Sequence, residues 1–220
     1  MTYPPAPWTL KGYAVQTLQL VSIEQASKFV PSELEIVSLL PGKTLGSIYI
    51  SSYESGSLLK YNELIVAPSF VRYQEKIGGW ISHIYVDNPD SVAGGREIWG
   101  LPKEMADFYW NNGSVSVSQN NCELCSLDYK KGFLNLSTWW KQQLSFGSFG
   151  GLGEELLFFD NQFKSKIALM EGKLKIPQES PFASLNLDKP LCTLNLQQLE
   201  LIAGIPKVVG EKAPELSYNR

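Results

Sequence analysis

Apolar and polar residues alternate over short stretches of this chain far more often than apolar residues recur at helical spacing, and that pattern predicts strands. Leu45 to Tyr53 alternates with Ile48 and Ile50 on one face, and Tyr61 to Val66, Trp80 to Val86 and the second half of Leu191 to Ile202 read the same way. Tyr13 to Leu20 alternates weakly and closes on Leu18-Gln19-Leu20. Ala106 to Trp110 and Ser114 to Ser118 flank Asn111-Asn112-Gly113, a hairpin turn. Leu156 to Phe159 and Lys166 to Ile176 flank a polar stretch near Asp160-Asn161 that reads as a further turn. Helical signals are few. Ser22 with Gln25 three residues later forms a capping box for a short helix ended by Pro31. Asn88-Pro89-Asp90 opens another through Val92 to Trp99, weakened by the adjacent Gly94 and Gly95. Many short strands with few helices favour a barrel or sandwich. With no internal repeat and no long linker, residues 1–220 read as a single domain.

Hydrophobic residues make up 44% of the 220, enough for a sizeable core, and aromatics make up 12%, which suits a β-rich core or an apolar pocket. A net charge of -3, from 19 basic and 22 acidic residues, offers no basic face for nucleic acid. The longest apolar runs, such as Ile65-Val66-Ala67 and Leu156 to Phe159, are too short for an integral membrane segment, and the N-terminus lacks the regions of a signal peptide. A cytoplasmic protein is expected. Three cysteines exclude a full disulfide framework. Cys122-x-x-Cys125 has only Cys192 and His83 as further soft ligands, so it reads as strand residues, with no metal and no cofactor expected. His83 reads as structural. Gly147 to Gly153 lacks the ending of a phosphate loop and reads as a flexible loop and candidate lid.

Candidate chemistry concentrates in Gly94-Gly95-Arg96-Glu97-Ile98-Trp99-Gly100-Leu101-Pro102-Lys103-Glu104. Pro102 fixes the backbone before Lys103. Trp99, Leu101 and Met105 offer apolar surroundings, which disfavour an ammonium, and only a neutral amine attacks a carbonyl. On residue type alone, a solvated surface lysine is the commoner reading.

Neighbouring motifs change that weighting. Gly95-Arg96-Glu97 with Pro102-Lys103, Tyr61-Asn62-Glu63, Tyr85-Val86-Asp87-Asn88, and Phe29-Val30-Pro31 followed by Leu34-Glu35 resemble, in order and spacing, segments of the acetoacetate decarboxylases. The resemblance runs from about Trp8 to Ala106. It implies an antiparallel β-barrel or cone with surrounding sheet and a few short helices, and a homo-oligomer. It also implies that Lys103 is the nucleophile that forms a Schiff base, its activation being an established property of that family. Glu63 becomes the carboxylate of the same cavity. Trp99, Leu101, Ile48, Arg96 and Glu104 become candidate substrate-binding residues, with a structural pairing to a buried carboxylate as the alternative for Arg96. Alternation along an extended segment nonetheless turns Glu104 away from its neighbour Lys103.

Three departures weaken the fit to a carboxylate substrate. Glu104 stands where the decarboxylases have a second lysine, no arginine precedes Arg72, and apolar Ile48 falls at the position of their second carboxylate. Pro5-Ala6-Pro7-Trp8, Gly12, Leu45-Gly46, Ser51-Ser52-Tyr53 and Asn62-Glu63-Leu64 are similar to plant neoxanthin-deficient proteins of the same superfamily. The leading expectation is a lyase using lysine imine chemistry on a keto acid or other carbonyl compound, by decarboxylation, aldol-type addition or dehydration. The alternative is a non-catalytic or accessory protein that binds an apolar ligand such as a carotenoid in the same pocket.

Overall fold

Alternation becomes one large sheet. The computed structural model describes residues 3–131, 140–151 and 154–212. Its strands are β1 (Trp8–Ser22), β2 (Glu35–Ile36), β3 (Lys43–Tyr53), β4 (Tyr61–Ala67), β5 (Ser69–Tyr73), β6 (Lys76–Trp80), β7 (His83–Val86), β8 (Lys103–Met105), β9 (Asp107–Asn111), β10 (Ser114–Gln119), β11 (Cys122–Lys131), β12 (Trp140–Gly150), β13 (Glu155–Lys175), β14 (Cys192–Ala203) and β15 (Lys207–Glu211). Between them lie helices α1 (Ile23–Ala26) and α2 (Pro89–Trp99). The described helices are too short and polar to cross a membrane.

The strands pair in the order β2-β5-β6-β12-β13-β14-β1-β3-β4-β7-β8, with β11 and β15 branching from β13, and β10 and then β9 extending from β11. The fold is mainly β, as expected, and nearly all pairs are antiparallel; β6 with β12 and β7 with β8 are parallel. Among the described residues the pairing path is open, running from β2 to β8. The curvature of a cone is nevertheless present, because β1, β3, β4, β12, β13 and β14 all send side chains into one cavity.

Strand parity divides the molecule. On β3, Ile48 and Ile50 pack with Val15, Leu64, Val66 and Leu127 in a core behind the cavity wall, while Leu45, Ser47 and Tyr49 face the cavity. On β14 a bulge keeps the parity useful. The register slips by one residue against both β1 and β13 near Gln198, whose φ of 52 lies in the left-handed region. The extra residue reverses the phase, so Leu194 and Leu196 before it and Leu201 and Ala203 after it all line the cavity.

Several expected boundaries are corrected. Trp80 to Val86 is not one strand; it divides into β6 and β7. Asp160-Asn161 is not a turn but lies inside β13, where the polar residues are satisfied across the sheet: Asn161 pairs with Phe146 and Ala203, and its amide donates to Ser148 Oγ at 3.0 Å. Gly147 to Gly150 is not a loop or lid but the end of β12; a Cβ at Gly147 would lie 2.8 Å from the Ile77 carbonyl oxygen, so glycine allows β6 to approach. Residues 152–153 of that glycine run lie outside the described residues. Ser22 occupies the N-cap of α1, but its side chain makes no capping bond.

His83 bonds Ser82 Oγ at 2.9 Å and lies between the rings of Phe29 and Phe182, each centroid 5.5 Å away. Burial lowers its pKa from the ordinary 6.5, and the charge of Glu104 only partly opposes this. The unfolded chain therefore takes up a proton before the folded one as pH falls below about 6.5. Native stability should decline on that side of neutrality, and His83→Phe should flatten the decline, as read from urea midpoints at pH 7 and pH 5.

Candidate functional site

The site is assembled by a chain of local bonds that begins on β4. Asn62 points outward and is gripped by Asp87, which accepts from the Asn62 backbone N–H at 2.7 Å and from its side-chain amide at 2.6 Å. Asn88 then caps α2, accepting from the N–H groups of Asp90 and Ser91 at 2.9 and 3.2 Å, with Pro89 at the first helical position. The inward residues of β4, Tyr61 and Glu63, thereby face the buried side of α2, where Ser91 lies.

Gly94 and Gly95 let that helix come close. A Cβ at Gly94 would stand 2.6 Å from Trp8 Cζ2, and one at Gly95 would stand 2.6 Å from Lys103 Cε. Gly100 ends α2 in the left-handed conformation at φ 61, and the chain turns through Leu101-Pro102 into β8, parallel to β7. Arg96 reaches back from α2, its Nε donating to the Lys103 carbonyl oxygen at 2.7 Å.

Lys103 is 3% exposed. Its Nζ donates to Glu63 Oε1 at 2.8 Å and to Ser91 Oγ at 3.0 Å. The ammonium also lies 5.0 Å from the Tyr61 ring centroid and 5.8 Å from that of Trp8, within reach of the ring faces. The other oxygen of Glu63 accepts from the Tyr53 hydroxyl at 3.1 Å, and Tyr49 and Tyr53 share a further contact at 3.4 Å. Burial, reinforced by the Glu63 charge and opposed by a bond to Ser91, holds the Tyr61 phenol well above its ordinary pKa. Burial, then the charges of Tyr49 and Glu63, do the same for Tyr53. These phenols therefore serve as proton-bearing donors. Opposite charges 2.8 Å apart in so dry a place are tightly coupled.

This ion pair stands in the wall of a cavity of about 400 Å³. Trp8, Trp99, Leu101, Ile84 and Phe159 enclose that end; Trp99 is anchored by its indole N–H donating to the Gly204 carbonyl at 2.7 Å. Among the described residues that line the cavity, Glu63 and Lys103 are the only charged ones.

Of the expected site residues, the structure brings Lys103, Glu63, Trp99 and Leu101 together at the cavity. Three others lie elsewhere. Ile48 is fully buried in the core on the opposite face of β3, because it pairs with Val66 and shares that residue's outward parity. Arg96 is exposed and holds a backbone carbonyl rather than a carboxylate or substrate. Glu104 is exposed and accepts from Gln119 at 2.8 Å, turned from Lys103 by strand alternation. Met105 is 46% exposed and adds nothing to the lysine's surroundings. Ser91, Tyr53, Tyr49 and Trp8 were not foreseen as site residues. Ser91 carried a usable signal, three residues past the Asn88 cap on the helix that leads to Lys103.

Comparison with known proteins bears on the family and the fold. Residues 1–145 match the family described as Acetoacetate decarboxylase (ADC). The chain is similar to Protein NEOXANTHIN-DEFICIENT 1 of Solanum lycopersicum, 32% identical over 106 residues, which is 48% of this chain and 36% of that protein. It is similar to Acetoacetate decarboxylase 3 of Mesorhizobium japonicum, 31% identical over 109 residues, 48% of this chain and 40% of that protein. The chain thus spans well under half the length of these curated relatives. Among solved structures, acetoacetate decarboxylase from Legionella pneumophila aligns with a TM-score of 0.74 at 17% identity, covering 96% of this chain and 90% of that one. The enduracididine biosynthesis enzyme MppR complexed with pyruvate aligns with a TM-score of 0.66 at 14% identity, covering 94% and 91%. At such identities these likenesses speak for the fold alone.

Proposed function

We propose, on the premise that the chain belongs to the acetoacetate decarboxylase family, that Lys103 forms an imine with an uncharged carbonyl compound in its apolar cavity. One observation carries the reading: a nearly fully buried lysine amine, 2.8 Å from a buried carboxylate, opens on a largely apolar cavity of about 400 Å³. That volume is within the usual range for small-ligand pockets, about 300–1,000 Å³.

The chemistry follows from the pair. A proton passing from Nζ to Glu63 leaves a free amine and a carboxylic acid. The amine attacks the carbonyl carbon and the carbonyl electron pair moves to oxygen. That oxygen takes one proton from the attacking nitrogen and one from Glu63, and leaves as water as the nitrogen lone pair forms the C=N bond. The products are a protonated imine and the Glu63 carboxylate, so the pair of opposite charges is restored. Tyr53 and Ser91 hold Glu63 and Nζ in register throughout. The imine then withdraws electrons from the adjacent carbon, as decarboxylation, aldol-type addition and dehydration all require. A free keto acid fits less well, since Lys103 is the one cation among the described lining residues and is already paired.

Borohydride trapping with methyl ketones, acetoacetate and pyruvate, followed by peptide mapping, tests this. An adduct on Lys103, stronger with the ketones, is the expected result. Labelling spread evenly over surface lysines would refute it. Glu104→Lys should change trapping by less than about twofold, since the side chain is exposed and turned away.

A second reading rests on the apolar lining and the similarity to Protein NEOXANTHIN-DEFICIENT 1: the cavity holds an apolar ligand without chemistry. For a C40 xanthophyll, a cavity of about 400 Å³ suits an end ring rather than the whole molecule. Xanthophyll binding that survives loss of the lysine, without a trapped adduct, would favour it.

A further inference from the structure

Asn161 lies on the inward face of β13, between Phe159 and Phe163 along the strand and beside Phe146 and Ala203 across it, and all of them line the cavity. Ser148, paired with Phe159, shares the inward parity of Phe146 on β12. An apolar side chain would fill such a lining at less cost than an amide, because a polar group withdrawn from water must find partners. Asn161 finds only half of them. Its side-chain N–H groups donate to Ser148 Oγ at 3.0 Å and, more weakly, to the Phe146 carbonyl at 3.4 Å. A backbone carbonyl can only accept, so this contact fixes which way the amide points. The amide oxygen accepts no hydrogen bond from any described residue, and the Ser148 hydroxyl donates none to one. Both residues are buried, 4% and 5% exposed, yet both line the cavity, so the cavity is where the unused acceptor and donor can be met.

We infer that Asn161 and Ser148 form a subsite for the hydroxyl of an uncharged alcohol on an apolar skeleton. A hydroxyl is the group that donates and accepts at a single atom. Its O–H meets Asn161 Oδ1, and its oxygen receives the O–H of Ser148, which itself accepts from Asn161 Nδ2. The bonds then run head to tail in a ring, an order in which each polarises the next. A ketone or ether oxygen would leave Asn161 Oδ1 without a donor, and a carboxylate would bring a bare charge against phenylalanine rings. The carbon skeleton packs on Phe146, Phe159 and Phe163 around the subsite. The inference rests on the cavity being a ligand site, which both readings above share, and not on the imine.

The test compares 1-heptanol with its isomer 1-methoxyhexane, an ether that accepts but cannot donate. Each is titrated against tryptophan fluorescence, Trp8 and Trp99 standing in the cavity wall. The alcohol should bind about fivefold more tightly than the ether in the unmodified chain. In Asn161→Leu, which keeps the branched shape and removes the acceptor, the order should reverse, because the alcohol then loses water without gaining a partner. Ser148→Ala is the smaller change and serves should Asn161→Leu fail to fold; it should bring the ratio to about one. An alcohol preference undiminished by these substitutions would place the hydroxyl elsewhere and overturn the inference, as would no preference in the unmodified chain. Neither probe has a carbonyl, so neither can form an imine, and a failure here leaves the trapping result untouched. Conversely, an alcohol preference lost in the variants, with no adduct trapped on Lys103, would sink the imine and leave this subsite standing.

Discussion

Lys103→Met is expected to destabilise the fold by about 3–5 kcal/mol, the largest effect of any single change considered, because it leaves the Glu63 carboxylate buried with no counter-charge. Tyr53 still donates to one carboxylate oxygen, but the other loses its only described partner. Replacing both members should behave differently. In Lys103→Met with Glu63→Gln no charge remains, the volumes are nearly kept, and most of the lost stability should return. Urea unfolding of the two single variants and the double variant measures the coupling. Additive losses, with the double variant as unstable as the sum, would show that the two charges do not depend on each other. The same series separates folding from chemistry, since the double variant should be folded and yet form no adduct.

Gly95→Ala is expected to lower the rate of Lys103 trapping by about a hundredfold while leaving the fold largely intact. Alanine is the better helix former by about 1 kcal/mol, so propensity alone favours the change. The added methyl would overlap the lysine stem at Cδ and Cε, however. A flexible stem can yield, but only by drawing Nζ away from Glu63 and Ser91. A displacement of about 1 Å at a reacting atom is enough for a loss of this size. Thermal unfolding near that of the unmodified chain, together with slow trapping, is the expected pair of results. Trapping at the full rate would mean that Lys103 does not need its place beside α2. Gly94→Ala should show the opposite balance, since the obstructing atoms belong to the buried Trp8 ring: stability falls first.

Much of the strand pattern was legible because half-buried strands write their pleat into the sequence. The hairpin at Asn112-Gly113, the strand over Tyr61 to Val66 and the helix opened by Asn88-Pro89 came through because each has a local cause: a left-handed glycine, an alternation, a cap. The orientation of Glu104 was legible for the same reason. The site was legible in part. Glu63 and Lys103, 40 residues apart, were brought together on paper only by their resemblance to a family pattern.

Other features depended on partners distant in the chain. Asp160-Asn161 looked like a turn, and only the neighbouring strands β12 and β14 could supply the bonds that make it the middle of a 21-residue strand. The glycines after Phe146 looked flexible, and only contacts with β6 and Phe158 at Gly147 and with the Trp99 carbonyl at Gly150 explain them as close packing. Ile48 shows the limit most clearly. Alternation separated Ile48 and Ile50 from Ser47 and Tyr49, but a strand covered on both sides has two faces to bury, and the pattern does not say which one holds the cavity. The sequence by itself determined the strands, the α2 cap and the parity that opposes Glu104 to Lys103, because these follow from bonds and sterics within a few residues. Only the tertiary structure decided which parity faces the cavity and which partners Lys103 meets, because burial is a property of how the sheet curls and not of any one strand.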